Sequence, residues 1–263
     1  VSAVPSLYDL LQEAIRAERP AALATVIDGP NVGAKLLVRP GEHPLGSLGH
    51  PDLDRVVARD TAGELTAGRT LVRHYGAEGQ AREDTVAVFV ESFAPPPRML
   101  IFGAVDFTAG LAKVAKVLGY RVTVCDARPV FATTARFPMA DEVVVDWPHR
   151  LLAEVGPTLG PRDAVCVLTH DPKFDVPAVI AALRTEVGYL GAMGSRRTHD
   201  DRTARLRAEG VTDAELARVM SPIGLDIGAR TPEETAVSIC AEIIAARTGR
   251  RAPSLRDTSG SIH

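Results

Sequence analysis

The chain has 263 residues, of which 46% are hydrophobic and 24% charged, and a formal net charge of −3 at pH 7. That is enough chain for one large domain or two small ones, with a core that needs no staples. A pI near 6.2 argues against a nucleic-acid binder, which would be basic over at least one domain. No run approaches the roughly 18 apolar residues of a membrane span.

The amino terminus lacks a basic segment followed by a long apolar one, so a cytoplasmic protein is expected. Cysteine occurs only at Cys125, Cys166 and Cys240, without a Cys-x-x-Cys pair. These read as buried, reduced thiols in apolar patterns. No metal site is expected.

From the start of the chain, Leu7, Leu10, Leu11, Ala14 and Ile15 follow a helical period over Leu7–Glu18, which Pro20 ends. Strands are expected at Ala22–Asp28, Ala34–Arg39, Thr70–His74 and Val86–Glu91, between Gly- and Pro-rich breaks. Leu53, Val56, Val57 and Leu65 suggest one short helix between them. Residues 1–93 therefore read as a small, mostly antiparallel α+β domain. Ala94-Pro95-Pro96-Pro97 follows, a stiff, extended segment taken as the linker, 94–97.

Beyond it, strand and helix alternate. Strands are expected at Met99–Phe102, Arg121–Cys125, Glu142–Asp146, Ala164–Thr169 and Gly188–Leu190. Helices are expected at Phe107–Leu118, Pro148–Val155, Val176–Arg184, Thr198–Glu209, Asp213–Met220 and Pro232–Arg247. Continuous apolar strands such as Val165-Cys166-Val167-Leu168 imply burial on both faces. The fold class is therefore α/β: a Rossmann-like parallel sheet wound by helices over 98–249, with a flexible tail over 250–263.

The chemistry concentrates where those strands end. Met99–Phe102 runs into Gly103, and a second strand closes on Asp126, about where a ribose-binding carboxylate belongs, roughly 20 residues on. Yet Gly103-Ala104-Val105-Asp106-Phe107-Thr108 keeps only the first glycine of Gly-x-Gly-x-x-Gly. Val105 sets a β-branched side chain where a pyrophosphate should approach. Asp106 is expected to cap the helix and repel a phosphate. Either the turn binds a nucleotide in an altered way, or the fold has lost that capacity.

Asp126 can accept from a ribose hydroxyl and Arg128 can meet a phosphate, although acids also end strands as plain turn formers. His170 and Asp171 follow the fourth strand, where His170 reads as a proton carrier, a ligand contact or a structural turn residue. No nucleophile stands beside His170, so no catalytic constellation can be assembled. Gly194, Ser195 and Arg196 open a helix after the fifth strand, as an anion nest or as a tight turn with a solvated basic face.

Two longer stretches add a family. Gly191-Ala192-Met193-Gly194-Ser195-Arg196-Arg197-Thr198-His199 and Ser221-Pro222-Ile223-Gly224-Leu225-Asp226-Ile227-Gly228-Ala229-Arg230-Thr231-Pro232-Glu233-Glu234 closely resemble the carboxyl-terminal domain of the XdhC/CoxI family. Phe137-Pro138, Ala140-Asp141-Glu142 and Leu168-Thr169-His170-Asp171 resemble it too, so the likeness spans 98–248. At the amino terminus only Ala21–Val26 and Lys35–Val38 fit.

The resemblance implies a maturation factor for molybdenum hydroxylases of the xanthine dehydrogenase or carbon monoxide dehydrogenase class. Such a factor is an accessory protein more than an enzyme. It holds a molybdopterin-type cofactor, in some relatives a pterin dinucleotide, and delivers it to a hydroxylase subunit. A sulfurtransferase partner and a homodimer belong to the same expectation. The residues carried forward as cofactor-binding are Gly103, Ala104, Val105, Asp106, Asp126, Arg128, His170, Asp171, Gly194, Ser195 and Arg196. The alternative is an NAD(P)-dependent oxidoreductase using the Rossmann domain.

Two departures matter. The family commonly has Gly-Ala-Gly where this chain has Gly103-Ala104-Val105. It also carries a cysteine near the segment that here reads Gly46-Ser47-Leu48-Gly49-His50-Pro51, and this chain has none before Cys125. His50 either replaces that ligand or is an incidental turn residue.

Overall fold

A computed structural model describes residues 5–80 and 83–259. The chain divides between Pro95 and Pro96 into two compact units.

The first unit is built on an antiparallel sheet. Its elements are α1 (Leu7–Arg16), β1 (Ala21–Asp28), β2 (Lys35–Val38), β3 (Leu45–Ser47), α2 (Pro51–Ala67), β4 (Leu71–Tyr75) and β5 (Val86–Phe93), with strand order β3-β2-β1-β5-β4. Period-two alternation along β1 divides its side chains between two cores. Ala24 and Val26 join Leu53 and Val57 of α2, whereas Ala21 and Leu23 pack with Leu11 and Ala14 of α1. The helix around Leu53 is longer than its sequence pattern suggested. It starts at a His50 cap with Pro51 at its first position, and ends where Gly68 turns left-handed at φ 66°. Strand β3 was not foreseen, because its central residue is Gly46.

The second unit contains β6 (Arg98–Phe102), α3 (Asp106–Val117), β7 (Arg121–Cys125), β8 (Glu142–Val144), α4 (Pro148–Val155), β9 (Ala164–Val167), α5 (Pro172–Leu183), β10 (Tyr189–Ala192), α6 (Arg196–Ala208), α7 (Asp213–Leu216), β11 (Val219–Met220) and α8 (Pro232–Thr248). Its six strands lie in the order β11-β10-β9-β6-β7-β8 and all their pairings are parallel. The expected helix over Asp213–Met220 is corrected. It stops at Leu216, and Val219 and Met220 pair with Leu190 and Gly191 instead. Helix α5 begins at Pro172, four residues earlier than expected, because Asp171 caps it and accepts from the Lys173 N–H. Of the expected tail, residues 260–263 lie outside the described residues, while Leu255–Asp257 forms a 3₁₀ turn.

Both faces of this sheet are covered. Met99, Ile101, Ala164 and Cys166 face α3 and α8. Leu100, Phe102, Val165 and Val167 face the core that includes Leu151 of α4, Val179 of α5 and Leu206 of α6. No helix joins β7 to β8; Phe137 from that connection fills the α3–α8 core. The strand order reverses between β6 and β9, which creates a crevice outside the carboxyl ends of the strands.

Candidate functional site

Gly103, Asp126, His170 and Gly194 follow β6, β7, β9 and β10, so parallel pairing brings all four to the same edge of the sheet. Gly103 makes the turn at φ 112°, its N–H donating to the Cys125 carbonyl at 2.9 Å. A Cβ there would stand 2.7 Å from Thr169 Cγ2. The turn after β6 and the loop after β9 are therefore in direct contact, and glycine is required at 103 by conformation and by space.

The cap of α3 differs from expectation. Val105, in extended conformation, is the N-cap, and Asp106 is the first helical residue with its side chain 93% exposed. The capping role passes to buried Thr108. Its hydroxyl donates to the Gly103 carbonyl at 2.5 Å and accepts from the Val105 N–H at 3.3 Å. A valine cannot cap, so a hydroxyl three residues on supplies the polar atom. Val105 itself is half-buried and packs against the α3–α8 core.

Asp126, 3% exposed, has its oxygens engaged by its own chain. Oδ2 accepts from the Ala104 N–H at 2.8 Å. Arg128 adds its backbone N–H and Nε to Oδ1, each at 2.9 Å, and Nη2 to Oδ2 at 2.8 Å. Burial opposes ionisation, but the hydrogen bonds from Arg128 and Ala104 outweigh it and hold the carboxyl below its ordinary range. The acid that a dinucleotide fold offers to ribose is here bound by a guanidinium.

That guanidinium also lies 4.5 Å from the centre of the Phe131 ring and feels the Asp171 carboxylate. Arg136 approaches the same ring at 5.6 Å and donates to the carbonyls of Ala104 and Phe131 at 3.1 and 3.2 Å. Val130 and Phe131 are exposed beside it. The β7–β8 connection thus presents two arginines around one aromatic ring at the mouth of the crevice. The arrangement suits a flat, anionic ligand by stacking and charge.

On the other side, His170 is exposed and Asp171 is occupied by the α5 cap and by Lys173 Nζ at 3.2 Å. A cavity of about 190 Å³ opens between α5 and α6, lined by His170, Asp175, Thr198, Arg202 and Arg205 among others. Ser195 caps α6, its hydroxyl accepting from the Thr198 N–H at 3.2 Å. Gly194 takes φ 150° and Arg196 is exposed. Gly103, Ala104, Asp126 and Arg128 therefore form one bonded group. Arg196 shares the edge but makes no bond to that group among the described residues.

Thr108, Arg136, Thr169, Asp175 and Arg202 were not foreseen. The available signal was a charge at a core position: Asp175 shares the buried stripe of α5 with Ala178, Val179 and Ala182, and Arg202 shares that of α6 with Leu206. Cys125, Cys166 and Cys240 are free and buried. Burial pushes the thiols of Cys125 and Cys240 up to about 12. Among the described residues no group of three or more His, Cys, Asp or Glu side chains is placed to hold a metal, and no helix is long and apolar enough to cross a membrane.

Comparison with known proteins gives this geometry a context. Residues 99–243 match the XdhC Rossmann domain, and residues 14–76 match the XdhC and CoxI family. The chain is 35% identical over 165 residues to a probable xanthine dehydrogenase subunit from Bacillus subtilis, covering 63% of this chain and 47% of that protein. It is 28% identical over 159 residues to the molybdenum cofactor insertion chaperone PaoD of Escherichia coli, covering 60% and 43%. It thus spans about half the length of the curated relatives it matches. A crystal structure of a xanthine dehydrogenase from Bacillus halodurans shares the fold, with a TM-score of 0.52 at 22% identity over 93% of this chain and 97% of that one. By the match over its second unit, this chain belongs to the XdhC and CoxI family.

Proposed function

We propose that this protein is a maturation factor that binds a molybdenum cofactor, or its dinucleotide form, and assists its insertion into a hydroxylase of the xanthine dehydrogenase or carbon monoxide dehydrogenase class. The observation that carries this reading is the self-occupied acid. Asp126 is gripped by Arg128 and the Ala104 N–H, while arginines and Phe131 crowd the mouth of the same crevice. A site for ordinary hydride transfer would leave that carboxylate open to ribose. A site for an anionic, heteroaromatic cofactor needs guanidinium groups and a stacking surface, as found here. The names of the relatives, an insertion chaperone and a probable dehydrogenase subunit, fit the same role.

In this proposal the Gly103–Asp106 turn, Asp126 and Arg128 form one wall of the cofactor site. His170, Asp171 and the Gly194–Arg196 loop form the other. The protein works in the cytoplasm, as a homodimer, with a hydroxylase subunit and a sulfurtransferase as partners. The NAD(P)-dependent oxidoreductase is the weaker alternative, because Asp126 is already engaged.

The test mixes the purified full chain with cofactor released from a purified xanthine dehydrogenase, followed by gel filtration. Co-elution of pterin fluorescence and molybdenum with the protein is expected, and so is capture of a cofactor-free hydroxylase subunit. Retention of neither pterin nor nucleotide, without association with that subunit, overturns the proposal.

A further inference from the structure

The second unit also holds an ion pair in which both partners are buried, at the head of a chain of contacts. The side chains of Arg202 on α6 and Asp175 on α5 are each 4% exposed, and Nη2 meets Oδ2 at 3.0 Å. The same Nη2 donates to the Met193 carbonyl at 2.6 Å, and Nη1 donates to Ser221 Oγ at 3.1 Å. The other oxygen of Asp175 accepts from the Thr169 hydroxyl, and Thr169 is the residue against which Gly103 packs. One guanidinium is thus tied directly to α5 and to the loops after β10 and β11, and through Asp175 and Thr169 to the loop after β9 and the turn after β6.

Stability alone does not account for this arrangement. Removing an ion pair from water is costly, and apolar side chains of similar volume often pack such a site equally well or better. Arg202 moreover leaves its Nε buried without an acceptor, a further cost of a kind that native interiors mostly avoid. Its three acceptors all lie on carboxyl-edge loops or at a loop-proximal helix start, and none lies within the sheet. What the pair supplies is fixed relative placement of those loops.

We infer that Arg202 and Asp175 are positioning residues whose pair locks the four carboxyl-edge loops into one arrangement, so that the groups facing the crevice are set before the ligand arrives. The inference rests on the cofactor-binding proposal for what the ligand is, but loop order can be measured without any ligand.

The experiment compares the full chain with three variants. Arg202→Lys keeps the charge but loses the fork that reaches three acceptors. Asp175→Asn/Arg202→Met removes both charges, so neither is left buried and unpaired. Ile243→Val trims the α3–α8 core and serves as a stability control. Hydrogen exchange is followed at residues 103–106, 169–171, 193–195 and 221–224, alongside thermal melting and retention of the released cofactor. In the first two variants, exchange should rise together at all four loops by about tenfold or more, and cofactor affinity should fall by about tenfold to a hundredfold, as for other supporting residues behind a site. Ile243→Val should lower the melting temperature and leave loop exchange and affinity unchanged. Wild-type loop exchange in either charge variant, or a rise no larger than that of Ile243→Val, overturns the inference. A wild-type protein that retains no cofactor overturns the binding proposal instead, and the exchange data still decide this one.

Discussion

Replacing Gly103 by alanine probes the turn that joins β6 to the crevice. Two costs add at this position. A side chain at φ 112° adopts a conformation that costs a non-glycine residue about 1–3 kcal/mol. The new Cβ would also stand 2.7 Å from Thr169 Cγ2 and 3.1 Å from the Thr169 backbone nitrogen, an overpacking worth about 1–3 kcal/mol. The sum is about 2–6 kcal/mol. Gly119 supplies the control: it has φ 81° with nothing within 4 Å of its hypothetical Cβ, so Gly119→Ala should cost only the conformational part, about 1–2 kcal/mol. Urea unfolding followed by tryptophan fluorescence separates the two cases. Trp147 is the single tryptophan of the chain and precedes α4 with its ring centre 4.9 Å from that of Phe174, so it reports on the second unit. If Gly103→Ala costs no more than Gly119→Ala, within about 0.5 kcal/mol, the close approach of the two loops does not govern this turn.

The Asp126 carboxyl is held below its ordinary range, so its stabilisation is complete above the unfolded value of about 3.9 and is lost as pH falls through the lower folded value. Urea midpoints measured from neutral to acid should therefore fall more steeply below about pH 4 for the wild type than for Asp126→Asn; equal slopes would refute the assignment. Val105→Gly restores the second glycine of a nucleotide turn, yet Asp126 remains gripped by Arg128. Calorimetric titration with NADH should stay silent up to about 1 mM, and clear binding would mean that Val105, not the occupied acid, is the barrier. The buried thiols of Cys125 and Cys240, raised to about 12, should react with a disulfide reagent at about pH 8 only after denaturation. Rapid labelling of the folded protein would contradict their burial.

The sequence displayed the wound sheet because its evidence is repetitive. Strands β6 and β9 are apolar at every internal position, and Thr231-Pro232-Glu233-Glu234 opens α8 with the expected cap. The Gly103 and Asp126 positions were legible from spacing. What a linear pattern hides is the partner of each polar atom. Asp106 looked like a cap because an acid at a helix start usually is one, yet the turn geometry moved that role to Thr108. Arg202 lies in a helix so polar that every charge on it reads as solvated. Its burial follows from α6 packing on the sheet through Arg202 and Leu206. Val219-Met220 is too short to signal a strand and gains that state only from β10 beside it.

The edges of the six-stranded sheet limit how a partner can join this fold. One edge is β11 with two residues and the other is β8 with three. Each exposes too little unpaired backbone to template another chain, a short-edge device that guards sheets against adventitious strand addition. Recognition by β-augmentation is therefore closed to the second unit, and whatever docks there must read helix faces or the carboxyl-edge loops. In the first unit the outer strand β4 runs for five residues, Leu71–Tyr75. It is the longest free sheet margin among the described residues.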